Sequence, residues 1–547
     1  MARGLHAGAD GAAVTSTARH GVRNGTLAAL VGAVLALGAC GGRELGDACG
    51  GPDDCGSALQ CLNHRCTARC ERAPDCGDGY ACDDQGLCHP ATGSLGDRCA
   101  SEVDCASGLS CQINGAALDA SNRLLSSCTA VNHEDDDLGT HTRAAGAACG
   151  HNGDCYNGTC ALGHCVDLCR TDRDCAAAQS CVVIPSELAT NAVFSGCLPS
   201  RGAITWTIPV SRPAAEILLP VPGGAQFAEL VMTVGDQNQK VGAASVLSPR
   251  GERQYTLPCS PQLSAACGPE LAVDQFFANP LRHQPGLGES VLTIPSGPAS
   301  VIGPGMYRVK VSSFQPDGTP GTALPRVTAV VKLDAGAALD LHFFFLDLSA
   351  HPCLPAGEPL SAASAPRLPY FQTEFLDRLR ALLNDSAGIT LGPSTYEDVI
   401  RPGLDDVSAA TAGNLLQLGK YATGINVFLV RSISPLGLPA LVPFPGPAGV
   451  GGTRQSGLAL SIDTACYRDW GAMARLTARA LARYMGLPPN VELDSARHPT
   501  WRDPFPDSDD SSRNLMFYSD LAAPGLSSGS ELSPGQRQLL LRSAVLR

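Results

Sequence analysis

The sequence predicts a multidomain protein: small disulfide-rich modules, then an all-β sandwich, then an α+β domain. Three observations predict it. Of 25 cysteines, 21 lie between positions 40 and 197 and four beyond. From about 201 the pattern turns to β-branched, period-two runs broken by Pro and Gly, of which the chain has 40 and 60. From about 352, apolar residues at helical spacing alternate with short buried-strand runs. A length of 547 residues suits about three domains. The net charge of −13 argues against a nucleic-acid partner. No run of 18 or more apolar residues follows the N-terminus, which excludes a polytopic membrane protein.

Residues 1–39 read as an export signal. Arg3, Arg19 and Arg23 stand against one acid, Asp10, and precede an apolar run from Leu27 to Gly38. That run is too short to span a bilayer but suits a signal-peptide core. It ends in Leu37-Gly38-Ala39-Cys40, which resembles the lipobox of bacterial lipoproteins. The resemblance implies lipidation at Cys40, with palmitate-type acyl chains holding the protein to a membrane at about 0.8 kcal/mol per buried CH₂. Gly41 is not the aspartate that retains such proteins at the inner membrane, so the outer membrane is the expected address. An ordinary secretory signal with a coincidental cysteine is the alternative.

Residues 40–200 carry five repeats. Beyond Cys40 the cysteines fall in fours: Cys49, Cys55, Cys61 and Cys66; Cys70, Cys76, Cys82 and Cys88; Cys99, Cys105, Cys111 and Cys128; Cys149, Cys155, Cys160 and Cys165; Cys169, Cys175, Cys181 and Cys197. The first spacing is always C-x5-C, and an aspartate always precedes the second cysteine: Asp54, Asp75, Asp104, Asp154 and Asp174. A fivefold match in register is an internal repeat. An even count in an exported chain implies two disulfides per module, because such short units cannot bury a sufficient core. Zinc knuckles would need C-x2-C pairs, which are absent. Four cysteines allow three pairings. The spacing does not choose among them, and first-to-third with second-to-fourth is the expectation. The C…DC…C…C spacing resembles the small modules of Dickkopf N-terminal type, also found in myxobacterial lipoproteins. It implies a rigid stalk or protein-contact module. The insert His133–Asp137 reads as a solvated linker.

Residues 201–351 read as the sandwich. Ile204–Val210, Glu216–Val221, Glu229–Val234, Tyr307–Ser312, Arg326–Leu333 and Leu339–Leu348 are the predicted strands. Cys259 and Cys267 are expected to pair across a loop. His283 and His342 read as structural or surface residues, and no catalytic grouping is visible.

Residues 352–547 form the last domain. Phe371, Phe375, Leu376, Leu379, Leu382 and Leu383 predict an amphipathic helix over about 372–385, stopped by Gly388. A strand begins at Ile389–Leu391, and Ile425–Val430 reads as a buried strand. After a Pro/Gly loop, 443–453, come a strand at Leu458–Ile462, taken as an edge, and a helix over about Arg468–Met485 closed by Gly486. The loop's GVGGT lacks the Gly-Lys-Ser/Thr of a phosphate cradle. Cys353 and Cys466 are expected to join.

The order strand, Gly-rich loop, edge strand, central helix and then Asn514-Leu515-Met516-Phe517-Tyr518 resembles a metzincin-type zinc peptidase of the pappalysin-like set. That family carries H-E-x-x-H-x-x-G-x-x-H on its helix and a later methionine turn. Arg479 to Pro489 occupies the motif here, with Gly486 at the family glycine and Met516 at the methionine turn. The zinc histidines are replaced by Arg479, Arg483 and Pro489, and the catalytic glutamate by Ala480. Between 352 and 547 His498 is the single histidine. A catalytic zinc needs three such ligands and a base, and guanidiniums repel a dication. The resemblance therefore implies a degenerate domain with no zinc. Arg475, Arg479 and Arg483, spaced by four, suit contact with an anion, balance by carboxylates of the Asp503–Asp510 loop, or a solvated helix face. Asp503, Asp507, Asp509 and Asp510 lack EF-hand spacing; they read as a solvated loop, with calcium the alternative. Gly525–Gly529 satisfies G-x-S-x-G, but no histidine follows it to complete a triad.

These readings converge on a lipid-anchored envelope protein that binds or scaffolds, with no cofactor and a protein or glycan ligand. A peptidase with an unorthodox site and a purely structural envelope protein are the alternatives.

Overall fold

The structure is a computed structural model that describes residues 43–77, 79–82, 85–131, 143–257, 279–297, 302–348, 350–434, 438–493, 499–517 and 529–547. The leader with Cys40, the pair Cys259 and Cys267, the insert 133–137, His498 and residues 525–528 lie outside it.

All five cysteine modules share one construction. A 3₁₀ turn follows the first cysteine: Pro52–Asp54, Ala73–Cys76, Glu102–Asp104, Asn152–Asp154 and Asp172–Asp174. A hairpin follows, with its third and fourth cysteines directly opposite: Cys61 and Cys66, Cys82 and Cys88, Cys111 and Cys128, Cys160 and Cys165, Cys181 and Cys197. These partners do not bond each other. The first cysteine takes the third: Cys49–Cys61, Cys70–Cys82, Cys99–Cys111, Cys149–Cys160 and Cys169–Cys181. The second takes the fourth: Cys55–Cys66, Cys76–Cys88, Cys105–Cys128, Cys155–Cys165 and Cys175–Cys197. The 3₁₀ turn is thereby pinned across the hairpin. The aspartate before the second cysteine explains itself here: its Oδ2 accepts two backbone N–H groups at the start of the turn, from Gly50 and Gly51 at Asp54 and from Ala100 and Ser101 at Asp104. Asp75, Asp154 and Asp174 repeat the arrangement. Backbone donors at a turn start would otherwise be orphaned.

The modules, expected as a rigid stalk or a protein-contact module, also touch one another across the repeat order. A guanidinium nitrogen of Arg72, in the second module, donates to the carbonyls of Asp172, Cys175, Ala176 and Gln179 in the fifth, at 3.0–3.3 Å. Arg170 of the fifth module pairs with Asp104 of the third at 2.7 Å. Leu124, Leu162, Val166, Leu168, Ile184 and Phe194 make a small core that reaches Ile204 at the start of the next domain.

The sandwich strands are β1 (Ala203–Ile208), β2 (Ala214–Val221), β3 (Phe227–Val234), β4 (Lys240–Leu247), β5 (Arg253–Thr256), β6 (Gly286–Leu287), β7 (Glu289–Ile294), β8 (Gly305–Phe314) and β9 (Pro325–Lys332). One sheet runs β1-β9-β3-β7 and the other β2-β8-β4-β5 with β6 on β4, all antiparallel. Leu219, Leu230, Met232, Val246, Tyr255, Val309 and Ala329 fill the space between them. His283 is locked in that core: its Nε2 accepts from the Ala243 N–H and its Nδ1 meets the Val291 carbonyl. Burial pushes its pKa down to about 4, which keeps it neutral.

The head begins earlier than its sequence pattern suggests. The run at Leu339–Leu348, predicted as a sandwich strand, is β10 (Ala338–Phe345) at the heart of the head's sheet. With it stand β11 (Thr390–Asp398), β12 (Asp406–Val407), β13 (Ile425–Val430), β14 (Ser432–Ile433), β15 (Ala440–Leu441) and β16 (Leu458–Ser461). The sheet order is β11-β10-β13-β16-β15; β15 alone is antiparallel, and β12 pairs β14 apart from it. The edges are therefore β11 and β15, and Leu458–Ser461, taken as an edge, lies inside. Helices cover both faces: Ala412–Leu416 packs with Phe344 and Phe428 on one, and the longer helices pack with Phe343 and Phe345 on the other. A π-helical segment, Tyr370–Asp377, continues into α1 (Arg378–Ala387), which the left-handed Gly388 ends. After α2 (Ala412–Leu416) come α3 (Trp470–Tyr484) and α4 (Pro534–Arg542). Phe343, Phe345, Phe371 and Phe375 pack ring on ring beneath them, with centroids 5.2–6.3 Å apart. Cys353 and Cys466 are joined, tying the segment before α1 to the turn before α3. Buried Lys332 of β9 donates to the carbonyls of Ser543 and Leu546, and Arg547 grips Asp340 with two bonds of 2.9 and 3.1 Å.

Candidate functional site

The site is built on α3. Asp469 caps its start, accepting from the Ala472 N–H at 2.6 Å. Trp470, Met473, Ala474, Thr477, Ala478, Leu481 and Ala482 bury one face. Gly486 ends it at φ +92°. The Gly486 N–H bonds the Arg483 carbonyl and the Leu487 N–H the Ala482 carbonyl, a Schellman closure that needs a left-handed residue.

Arg475, Arg479 and Arg483 lie half-exposed along this helix, while Ala480 and Pro489 are buried. The Arg483 guanidinium sits 4.8 Å from the centre of the Phe444 ring, a cation–π contact. Phe444 belongs to the loop that follows edge strand β15. That loop is bolted to the end of α3: the Gly446 N–H donates to the Tyr484 carbonyl at 2.9 Å, and the Tyr484 hydroxyl donates to the Pro447 carbonyl at 3.0 Å. A Cβ on Gly446 would fall 2.1 Å from the Tyr484 ring, so only glycine fits.

Beyond α3 the chain turns through Met516, fully buried in the same core as Ala480, Met485 and Leu487. Asn514 shapes this turn: its Oδ1 accepts from the Met516 N–H and its Nδ2 donates to Gln536 of α4. Asn490 closes the other side, donating to the carbonyls of Asp509 and Ser511.

In the acidic loop Asp507, Asp509 and Asp510 are exposed and Asp503 is half-buried. Asp503 accepts from Gln536 and from the Phe505 N–H. Burial pushes its carboxyl up to about 6, and the cation acting across from it is Arg282 of the sandwich. Asp507 accepts from Ser533 and the Gly535 N–H at the start of α4. These two carboxylates anchor the loop to α4. The described cysteine groups close enough to hold a metal include Cys49, Cys55 and Cys61, and they are consumed by disulfides.

Sequence reasoning missed Glu229 on β3 and Glu289 on β7. Both are 1% exposed, on the sheet face that meets the head. Glu229 accepts from the Ala448 N–H at 2.7 Å; Glu289 lies beside the loop's Thr453, Arg454 and Gln455, and its backbone carbonyl accepts from the Gln455 side chain at 3.1 Å. The single hint was a glutamate set in each of two strongly apolar runs. His342, by contrast, is a structural residue: its Nε2 meets the Thr423 carbonyl at 2.8 Å, its Nδ1 meets Thr395, and its ring stacks on Tyr421 at 3.8 Å.

No protein-family model matches the chain, and no curated protein matches it. Among solved structures, the protein YxiM of Bacillus subtilis is 10% identical, with a TM-score of 0.12 over 40% of this chain and 46% of that one. This chain therefore spans less than half of that protein, and a likeness so slight carries no argument about fold or function.

Proposed function

We propose that the chain is a lipid-anchored protein of the outer membrane that binds or scaffolds through a zinc-peptidase-like head without peptidase chemistry. One observation carries this reading. A helix closed by a left-handed glycine above a buried methionine turn bears Arg479, Ala480, Arg483 and Pro489 at the four positions where a metzincin needs its ligands and base. None of the four offers a metal-binding atom or a proton acceptor near neutrality. The region suits recognition of anionic groups on a protein or glycan, because guanidiniums bind carboxylates in a fork. Eleven disulfides among the described residues support an oxidising compartment.

Two measurements test the reading. The Cys40→Ala variant is expected in the soluble fraction, whereas the natural chain sediments with membranes; equal membrane retention of both contradicts the anchor. The purified chain is expected to cleave no member of a peptide library, and chelator-sensitive cleavage contradicts the loss of chemistry.

A further inference from the structure

We propose that Glu229 and Glu289 form a proton-dependent latch between the sandwich and the head, closed while these carboxyls are protonated and released as they ionise. The inference does not depend on the head's being a lost peptidase.

The geometry is that of a clasp. The strands β3 and β7 are neighbours in the sheet that faces the head, and both glutamates lie on that face. Their hydrogen bonds go to a single stretch of the head, the Gly-rich loop between β15 and β16. Glu229 takes the Ala448 N–H. At Glu289 the Gln455 side chain donates to the backbone carbonyl at 3.1 Å, and the carboxyl lies beside Thr453, Arg454 and Gln455. Two oxygens remain, Oε2 of Glu229 and Oε1 of Glu289; both are buried and have no partner. A carboxylate oxygen in that position is costly, whereas a protonated one carries no charge to desolvate.

The charges around the clasp do not rescue the ionised pair. Glu289 disfavours the charge of Glu229, and both disfavour ionisation of Tyr484. Among the described residues the cation acting on Glu289 is Arg454, which is half-exposed and also donates to Asn414. Burial, the largest influence, holds Glu229 well above the carboxylate range and pushes Glu289 up to about 7. Both folded values exceed the ordinary one, so the contribution to docking is full below about 4.5 and is lost as pH rises through about 7. Because the loop is bolted to α3 through Gly446 and Tyr484, release loosens the loop and the end of α3 against the sandwich, while Lys332 still ties the two domains together.

Amide hydrogen exchange on the full chain tests this, read as protection factors at Ala448, Arg454 and Gln455 against the β3–β9 ladder as internal reference. Between pH 5.5 and 8.5 protection of the three amides is expected to fall about tenfold or more, since one pKa unit is a factor of ten, while the ladder is unchanged. The Glu229→Gln/Glu289→Gln variant, which mimics the protonated pair, is expected to keep its protection at pH 8.5; where it does not fold, Glu289→Gln and the wild-type pH series decide. Protection independent of pH in the wild type overturns the proposal. So does pH-dependent protection that survives in the glutamine variant. Loss of protection at pH 5.5 on adding a chelator also overturns it, because a bound cation would then be the clasp.

Discussion

Every cysteine module places two covalent bridges around a 3₁₀ turn and a short hairpin, whereas the head has a single described disulfide and a continuous core from Leu339 to Leu546. In the modules the cysteines themselves are among the most buried residues: Cys111, Cys128 and Cys155 are fully buried. In the head that role falls to Phe343, Phe371, Phe375 and Leu481. The difference follows from size. A hairpin has too little apolar surface to offset chain entropy, so cross-links must limit the unfolded state. A five-stranded sheet covered by helices has enough.

The comparison is broken most directly by reduction. Under reductant without denaturant, the region from Cys49 to Cys197 is expected to unfold, each bridge having contributed about 2–4 kcal/mol, while the sandwich and head keep their near-UV signal. Mass mapping before reduction should find ten intramodule bridges and no crosslink between modules. A head that melts together with the modules would mean that its core does not hold it.

The reverse experiment is a core deletion. Phe371→Ala removes a fully buried ring from between Phe343, Phe345 and Phe375 and is expected to cost the head about 3–5 kcal/mol. Calorimetry should show the head's transition lowered while the disulfide map stays intact.

A smaller effect distinguishes the regions by pH. Asp54, Asp75 and Asp154 are held below their ordinary value of 3.8 by backbone N–H donors. Their contribution is therefore present above 3.8 and lost as pH falls through their lower folded values. Acid should loosen the module turns, whereas the sandwich–head clasp should loosen toward alkaline pH. Exchange at the Gly50 and Gly51 amides should accelerate below pH 3 after correction for the intrinsic rate; equal protection at pH 2 and 6 would deny the caps their role.

The two regions also differed in what their sequences disclosed. The modules were legible because their determinants are local: C-x5-C spacing and the preceding aspartate act within one turn. Their folding back on one another was not legible, since it depends on Arg72 reaching carbonyls a hundred residues away. In the head, Ile425–Val430 was legible as a buried strand because its apolar run is continuous. Ala338–Phe345 read equally well as a strand, but its pattern cannot say which sheet it joins, and its parallel partners start at Thr390 and Ile425. Edge strand β15 is two residues long amid prolines, below any periodic signal. At the site, the helix and its stop at Gly486 were legible from the local pattern. Glu229 and Glu289 were not, because alternation would turn them to water; the head covers that sheet face.

The central claim is that α3 holds the geometry of a zinc helix without its chemistry, and restoring the ligands tests it most directly. In the full chain, Arg479→His, Ala480→Glu, Arg483→His and Pro489→His are introduced together, and bound zinc is measured beside the natural sequence. The account predicts no stoichiometric zinc in the natural chain and roughly one per chain in the fourfold variant, as three histidines with an open position would hold. Stoichiometric zinc in the natural chain, or none in a folded fourfold variant, would contradict it.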